Sequence, residues 1–221
     1  MRMKKVCGAA AAVLWLLFWI TLVIRWMAGD GGLMAAEMLE CAPPESTYLA
    51  AEEYPGVCRM TAEFLTDRQA EFQYDGRFQA HEAAHMEDVR GLIRLDSRVC
   101  LICALAAAVL TAAGCARGGR REFARGMLQG LAAAGIVALG FGIWAAVDFD
   151  GLFVTFHRVA FRNDGWLLDP RTDLLIRLMP ERFFIRLGIR GGMRALAGAA
   201  GIALAAGLAR GRKRGNAEKN T

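Results

Sequence analysis

Four stretches of this chain carry no charged side chain, and their lengths constrain its fold more than any other feature. Val6 to Ile24 is uncharged for 19 residues, Val99 to Ala116 for 18, Gly126 to Val147 for 22 and Ala195 to Ala209 for 15. A helix rises about 1.5 Å per residue, so ~20 apolar residues cross the ~30 Å hydrocarbon core of a bilayer. Lipid offers backbone N–H and C=O groups no water, so each stretch must pair them internally and is expected to be helical. The 55% of the 221 residues that are hydrophobic are therefore concentrated in spans rather than spread through amphipathic elements. That excludes an ordinary soluble domain, a disordered chain and a small disulfide-stapled scaffold. The expected fold is an α-helical polytopic membrane protein, a single membrane domain over 1–221. It has four transmembrane helices (6–27, 99–116, 126–147 and 191–209) and a small, mainly helical extracytoplasmic cap. The first stretch follows a basic start (Arg2, Lys4, Lys5), but it is too long for a signal h-region and Met27-Ala28-Gly29-Asp30 is a poor cleavage site. It reads as a retained signal anchor. Cys7 follows Lys5-Val6 without an apolar lipobox, so the chain does not read as a lipoprotein itself.

The Lys/Arg bias sets the orientation. With the N-terminus inside, the cytoplasmic segments are 1–5, 117–125 and 210–221, and the extracytoplasmic ones are 28–98 and 148–190. The cytoplasmic segments hold 12 basic residues and only Glu122 and Glu218 as acids; the rest of the chain holds 15 basic residues, all Arg, and 20 acids. The net charge of +5 thus resolves into +10 inside and −5 outside. The tail Arg210-Gly-Arg212-Lys213-Arg214 reads as a topology anchor at anionic lipid rather than a nucleic-acid arm.

In the first outer segment, Cys41-Ala42-Pro43-Pro44 reads as a loop, Thr66 with Gln69 as a capping box, and Asp75-Gly76 as a break. From Ala80 to Leu95 the pattern is helical, with His81, His85, Asp88, Val89 and Leu92 on one stripe leading toward the second span. In the second, Gly151 to Arg162 is open to a helix or a strand, and Asn163-Asp164-Gly165 is a turn. Asp169-Pro170 reads as an N-cap with Pro at the first helical position. Leu174, Leu175, Leu178 and Met179 suit a short helix lying on the membrane. Pro180 opens a further helix on which Arg182, Arg186, Arg190 and Arg194 recur every four residues. These arginines are candidates for snorkelling or for contacts with an anionic lipid or substrate carbonyl. Trp166, Phe183 and Phe184 suit anchoring at the interface.

All three histidines, His81, His85 and His157, fall in the outer segments. Imidazole is the side chain best suited to move protons near neutral pH. His81-Glu82-Ala83-Ala84-His85 matches H-E-x-x-H, which would make a zinc protease with Glu82 as base. Asp88, Asp164 or His157 are third-ligand candidates, though none stands at a familiar spacing. Cys100-Leu-Ile-Cys103 near the outer end of the second span would suit thiol–disulfide exchange, or simply small apolar filling. Cys41 and Cys58 are a candidate structural disulfide. Serine-based lipase chemistry is excluded, because neither Ser46 nor Ser97 lies in a G-x-S-x-G elbow.

Two stretches carry a resemblance. They are His85-Met86-Glu87-Asp88-Val89, and Phe156-His157 through Phe161-Arg-Asn163-Asp164-Gly-Trp166, Asp169-Pro170-Arg-Thr-Asp173 and Pro180-Glu181-Arg-Phe183-Phe184. Together they resemble the lipoprotein intramolecular transacylases (Lit), four-helix membrane proteins with both termini inside. His81 lies outside that pattern. The resemblance implies a substrate, a bacterial lipoprotein whose N-terminal Cys carries diacylglycerol on sulfur. It also implies a reaction, transfer of the sn-2 acyl chain to the α-amino group of that Cys to give the lyso-form. No cofactor and no metal are implied; the partners are diacylglyceryl-modified lipoproteins and membrane phospholipids, not nucleic acid.

The residues suit such chemistry. An ester-to-amide shift with both reactants in one molecule needs mainly orientation, worth up to ~7–11 kcal/mol. It also needs a base for an amine of pKa ~8, a donor for the oxyanion and a proton for the departing glycerol oxygen. The expected catalytic pair is His85 and His157, with the base and the donor unassigned. Asp88, one turn from His85, is expected to orient its ring. Asn163, Asp164, Trp166, Asp169 and Asp173 are expected to support the loop or position the substrate.

Overall fold

The charge-free stretches fold as the middles of longer helices. A computed structural model of the chain describes residues 2–116 and 119–211. Its long helices are α1 (Arg2–Ala28), α5 (Ala80–Ala116), α6 (Arg120–Val147) and α9 (Glu181–Gly211). All four are long and apolar enough to cross a membrane. Shorter helices join them: α2 (Gly31–Cys41), α3 (Pro44–Thr47), α4 (Tyr54–Leu65), α7 (Phe149–Ala160) and α8 (Leu174–Leu178). A 3₁₀ turn at Ala51–Glu53 precedes α4. No strand occurs among the described residues. The open question at Gly151 to Arg162 therefore resolves to helix. Arg117 and the tail beyond Gly211, with most of its basic cluster, lie outside the described residues.

The chain divides into two compact units. The first takes Met1–Leu22, Arg98–Ile143 and Met193–Thr221, and the second takes Val23–Ser97 and Trp144–Gly192. In the first, α1 and α6 touch through their backbones. A Cβ on Gly8 would strike the Phe123 carbonyl, and one on Gly126 the Lys5 carbonyl. Close approach at small residues is how helices gain packing in lipid, where no hydrophobic drive separates them from solvent. Ala11, Ala12, Phe123, Met127 and Ala206 fill the core beside this contact. Two indole N–H groups that lipid would leave unpaired find acceptors: Trp15 donates to Thr111 Oγ1 (3.1 Å) and Trp19 to the Arg194 carbonyl (2.7 Å). Outward, Ile136, Val137 and Leu139 of α6 are more than half exposed. A solvated surface of that kind is unfavourable in water and ordinary in lipid.

The second unit holds a conventional apolar core of Met38, Leu49, Tyr54, Val57, Phe64, Leu174, Leu175 and Leu178. Leu174, Leu175 and Leu178 are buried in protein, so α8 packs inside this unit rather than lying on a membrane with that face. Phe183 is likewise a core residue and not an interfacial anchor. Cys41 and Cys58 are both free thiols, not a disulfide, and the Cys58 sulfur faces Met38 Sδ at 3.3 Å in the core. Thr66 ends α4 instead of starting a helix, its hydroxyl bonding back to the Ala62 carbonyl. The expected capping box is absent because the backbone there runs into a turn, with Asp67 at φ 60°. Asp169-Pro170 begins a turn closed by Asp173 N–H on the Asp169 carbonyl (2.8 Å), and α8 starts only after Asp173. Asp75 and Gly76 do break the chain, both with positive φ (47° and 71°). Glycine adopts that region without a Cβ clash.

Glu37 is fully buried, at 0% exposure, and is neutralised by two of the periodic arginines. Arg186 and Arg190 both pair with it, and Arg186 also reaches Glu40. α9 is thereby tied to α2 through charge.

Candidate active site

Two imidazoles meet in the second unit, one from α5 and one from α7. His85 lies in the second turn of α5, on a face turned inward: it is 7% exposed. α7 is amphipathic. Its start is capped by Asp148, whose carboxylate accepts the Gly151 N–H (2.9 Å). His157 occupies the buried face of α7 at 8% exposure, while Phe156 (52%) and Val159 (82%) point outward. The two rings are 6.2 Å apart between centroids and inclined by 33°.

Aromatic rings wall the pair. Phe153 lies 4.1 Å from the His157 ring, Trp166 5.0 Å, Phe156 5.3 Å and Phe161 5.5 Å. Phe161 also meets His85 edge-on at 5.2 Å, and Phe184 supports Phe153. Burial in this wall holds both histidines below the ordinary imidazole pKa. For His85, a charge on His157 lowers it further and Asp88 pulls back upward. For His157, the Phe153 carbonyl pulls upward. Both rings are consequently neutral at neutral pH.

The hydrogen bonds separate their nitrogens. His157 Nδ1 lies 2.8 Å from the Phe153 carbonyl, one turn back on α7. A carbonyl only accepts, so Nδ1 carries the proton and Nε2 keeps its lone pair. His85 Nδ1 is buried without a hydrogen-bond partner. With its proton on Nε2 the ring would leave only a lone pair, and not an N–H, buried without a partner.

Asp88 takes a hydrogen bond from Asn163 Nδ2 (2.9 Å), and Asn163 Oδ1 accepts the Gly165 N–H, so the expected turn is tied to α5 beside His85. Trp166 packs on His157 instead of serving only as an anchor. Asp169 is partly exposed and pairs with Arg171, which holds its carboxyl down to about 2. Asp164 supplies a turn carbonyl to Leu167. Asp173 is nearly fully buried and bonds to His81. Arg186 and Arg190 serve Glu37, as described above. The Arg194 carbonyl takes the Trp19 indole.

The chain matches the family model "Lipoprotein intramolecular transacylase Lit" over residues 9–184. It belongs to this family. The fold agrees: the in meso structure of the membrane-integral lipoprotein intramolecular transacylase Lit from Bacillus cereus superposes with a TM-score of 0.83 at 18% identity, covering 96% of this chain and 98% of that one. A variant of that protein with one histidine changed to arginine gives a TM-score of 0.78 at 18% identity, over 97% and 94% of the two chains. A histidine-to-alanine variant gives 0.76 at 16%, over 96% of each. No curated protein sequence matches the chain. Family membership and the four apolar helices place it in a membrane as an acyltransferase of the Lit type.

The rival readings of the sequence do not fit a Lit chain, nor the geometry. Glu82, the would-be zinc-protease base, is fully buried and accepts the backbone N–H groups of Gln79 (2.7 Å) and Leu175 (2.6 Å). His81 turns to Asp173, and no group of three metal-ligating side chains forms among the described residues. Cys100 and Cys103 are buried free thiols within a single helix, where the Cys100 sulfur points at the Phe18 carbonyl. The sequence reading missed the ring wall of Phe153 and Phe161 and the Phe153 carbonyl. A signal was present, since Phe153 stands four residues before His157, one helical turn.

Proposed function

We propose that this chain moves the sn-2 acyl group of a diacylglyceryl lipoprotein onto the α-amino group of its N-terminal Cys, producing the lyso-form. The carrying observation is the pair of buried imidazoles 6.2 Å apart, of which His157 alone has its Nδ1 on a backbone carbonyl. His157 Nε2, with its lone pair available, takes a proton from the substrate amine as the new N–C bond forms. His85 Nε2–H donates to the oxyanion of the tetrahedral intermediate. The His157 imidazolium then returns its proton to the glycerol oxygen as the C–O bond breaks, so from the neutral amine onward no proton is gained or lost; an amine that arrives as ammonium first releases one proton to solvent. A depressed pKa keeps His85 a neutral donor, as oxyanion stabilisation requires. Asp88, beside His85 and bonded to Asn163, supplies negative charge that draws the substrate ammonium toward the pair. No cofactor takes part in these steps.

The spans 6–27, 99–116, 126–147 and 191–209, with both termini cytoplasmic, put segments 28–98 and 148–190 outside. The charge asymmetry supports that orientation. The exposed Phe156 and Val159 support a site open to the outer leaflet, because they give α7 an apolar face beside His157. The test is mass spectrometry of a lipoprotein N-terminus from cells lacking any other source of lyso-form, with and without this chain. Conversion to the lyso-form is expected. His85→Ala and His157→Ala should each reduce it by about 10²-fold or more, the usual worth of general acid–base catalysis. Conversion at the parent rate by the His157→Ala protein would overturn the assignment of His157 as base.

A further inference from the structure

The H-E-x-x-H segment is left over once the catalytic pair is His85 and His157, yet its first two side chains are the hub of a dense polar network. Asp173 is 2% exposed and collects four donors. His81 Nε2 lies 3.0 Å from Oδ2, the Asp169 N–H 2.9 Å from the same oxygen, Thr172 Oγ1 2.8 Å from Oδ1 and Gln79 Nε2 3.3 Å from Oδ1. Gln79 Nε2 also reaches the Thr172 carbonyl at 3.1 Å. Glu82 completes the link by holding the N–H groups of Gln79 and Leu175 on its two oxygens. The first turn of α5 is therefore fastened to the segment 169–175. The preceding stretch of that chain carries Asn163, bonded to Asp88, and Trp166, stacked on His157.

We propose that His81 is a positioning residue, whose protonated ring clamps Asp173 and so fixes the loop 161–173, with Trp166 and Asn163, against the two catalytic imidazoles. The inference rests on the transacylase reading for its effect on rate, but the clamp itself is a property of the fold. Two charged groups act directly on His81, Asp173 from the loop and Glu82 from its own helix. Behind Asp173 stand Asp169, engaged with Arg171, and Arg177, whose Nε donates to the Asp173 carbonyl at 3.1 Å. Burial works against the Asp173 charge, but the bonds from His81, the Asp169 N–H and Thr172 prevail and hold its pKa below the usual value. The Asp173 bond raises that of His81, against some loss of hydration. A raised imidazole pKa means the charged pair is present below the ordinary value and is lost as pH rises through the higher, folded-state value. His81 is bonded to a carboxylate where His85 and His157 are shifted down by burial, so it alone of the three titrates upward.

The experiment has two arms on the full-length protein in detergent. Hydrogen exchange of the peptide spanning 161–173 reads the clamp without catalysis. Lyso-lipoprotein formation from a diacylglyceryl lipoprotein, measured against pH, reads its effect. In the parent, protection of 161–173 and kcat should both decline as pH rises above the ordinary imidazole value. In His81→Ala, protection should be low at every pH and kcat should fall about tenfold or more with KM changed less than twofold, because the loss is orientation at the reacting atoms. In His81→Arg, permanently charged, protection should return and the alkaline decline should disappear. Parental protection and a parental pH profile in His81→Ala would overturn the clamp. So would an alkaline decline unchanged in His81→Arg. A protein that shows the exchange pattern but never converts a lipoprotein would refute the transacylase reading and leave the clamp standing.

Discussion

The chemistry turns on which nitrogen of each imidazole holds the proton, and single contacts decide that. The Phe153 carbonyl calls for a proton on His157 Nδ1, and the unpartnered, buried Nδ1 of His85 favours a proton on the Nε2 of that ring. Two rings of the same type thus stand in different hydrogen-bond environments, which is the basis for proposing His157 as base and His85 as donor. Burial holds both below the ordinary imidazole pKa of 6.5. The activity of the parent enzyme should therefore decline on the acid side only below that value, where His157 becomes protonated; a pH–kcat profile checks this. The same shift bears on stability. As pH falls through 6.5 the unfolded chain takes up protons that the folded His85 and His157 refuse, so folding stability should decrease downward from there. Thermal unfolding of the parent against His85→Phe at pH 7 and pH 5 reads the difference, which should narrow in the variant. Trp166 acts through the His157 ring it covers. Trp166→Phe should keep most of the activity and Trp166→Ala should lose about tenfold or more in kcat, measured as lyso-lipoprotein formed.

At the scale of elements, two junctions carry the site. One is the α5 start on the 169–175 segment, through Glu82 and Asp173. The other is α2 on α9, through Glu37 between Arg186 and Arg190. A buried carboxylate with its partners removed costs about 3–5 kcal/mol. Replacing both Arg186 and Arg190 by Ala, which strands the buried Glu37, should accordingly lower the unfolding temperature in detergent sharply, whereas Glu40→Ala, at an exposed partner of Arg186, should change it little. In the first unit, Gly126→Leu should separate α1 from α6, since even a Cβ there meets the Lys5 backbone. The helices themselves were legible in sequence, and so was the run from Ala80 into the second span, because charge-free length and 3.6-residue periodicity are local properties. The caps were not. Thr66 and Asp169 have the right chemistry to start helices, but the backbone around each turns instead, and their side chains or carbonyls close those turns. The arginine period read as an interfacial stripe, and its real partner, Glu37, was hidden because it stands far upstream in another helix.

For the whole molecule, the separation of +10 from −5 makes a directional prediction. An epitope inserted at Gly76 should be reached by impermeant reagents from outside intact cells, and one inserted at Gly119 should not. The reverse labelling would invert the topology and put the histidines on the wrong side for a lipoprotein of the outer leaflet. The sequence by itself determined that the chain is a set of lipid-spanning helices, that its charge is asymmetric along those helices, and that His85 and His157 stand within a Lit-like pattern. Those are consequences of composition in order along one dimension, where lipid tolerates no unpaired backbone and charge records side. Only the tertiary structure decided that His81 belongs to Asp173 and Glu82 to two backbone amides, that Phe153 and Phe161 enclose the pair, and that His157 Nδ1 faces a backbone carbonyl. Each of those depends on groups remote in sequence, or on a particular carbonyl, being brought within hydrogen-bond reach. Periodicity places a residue on a face of a helix; it does not name what the fold lays against that face.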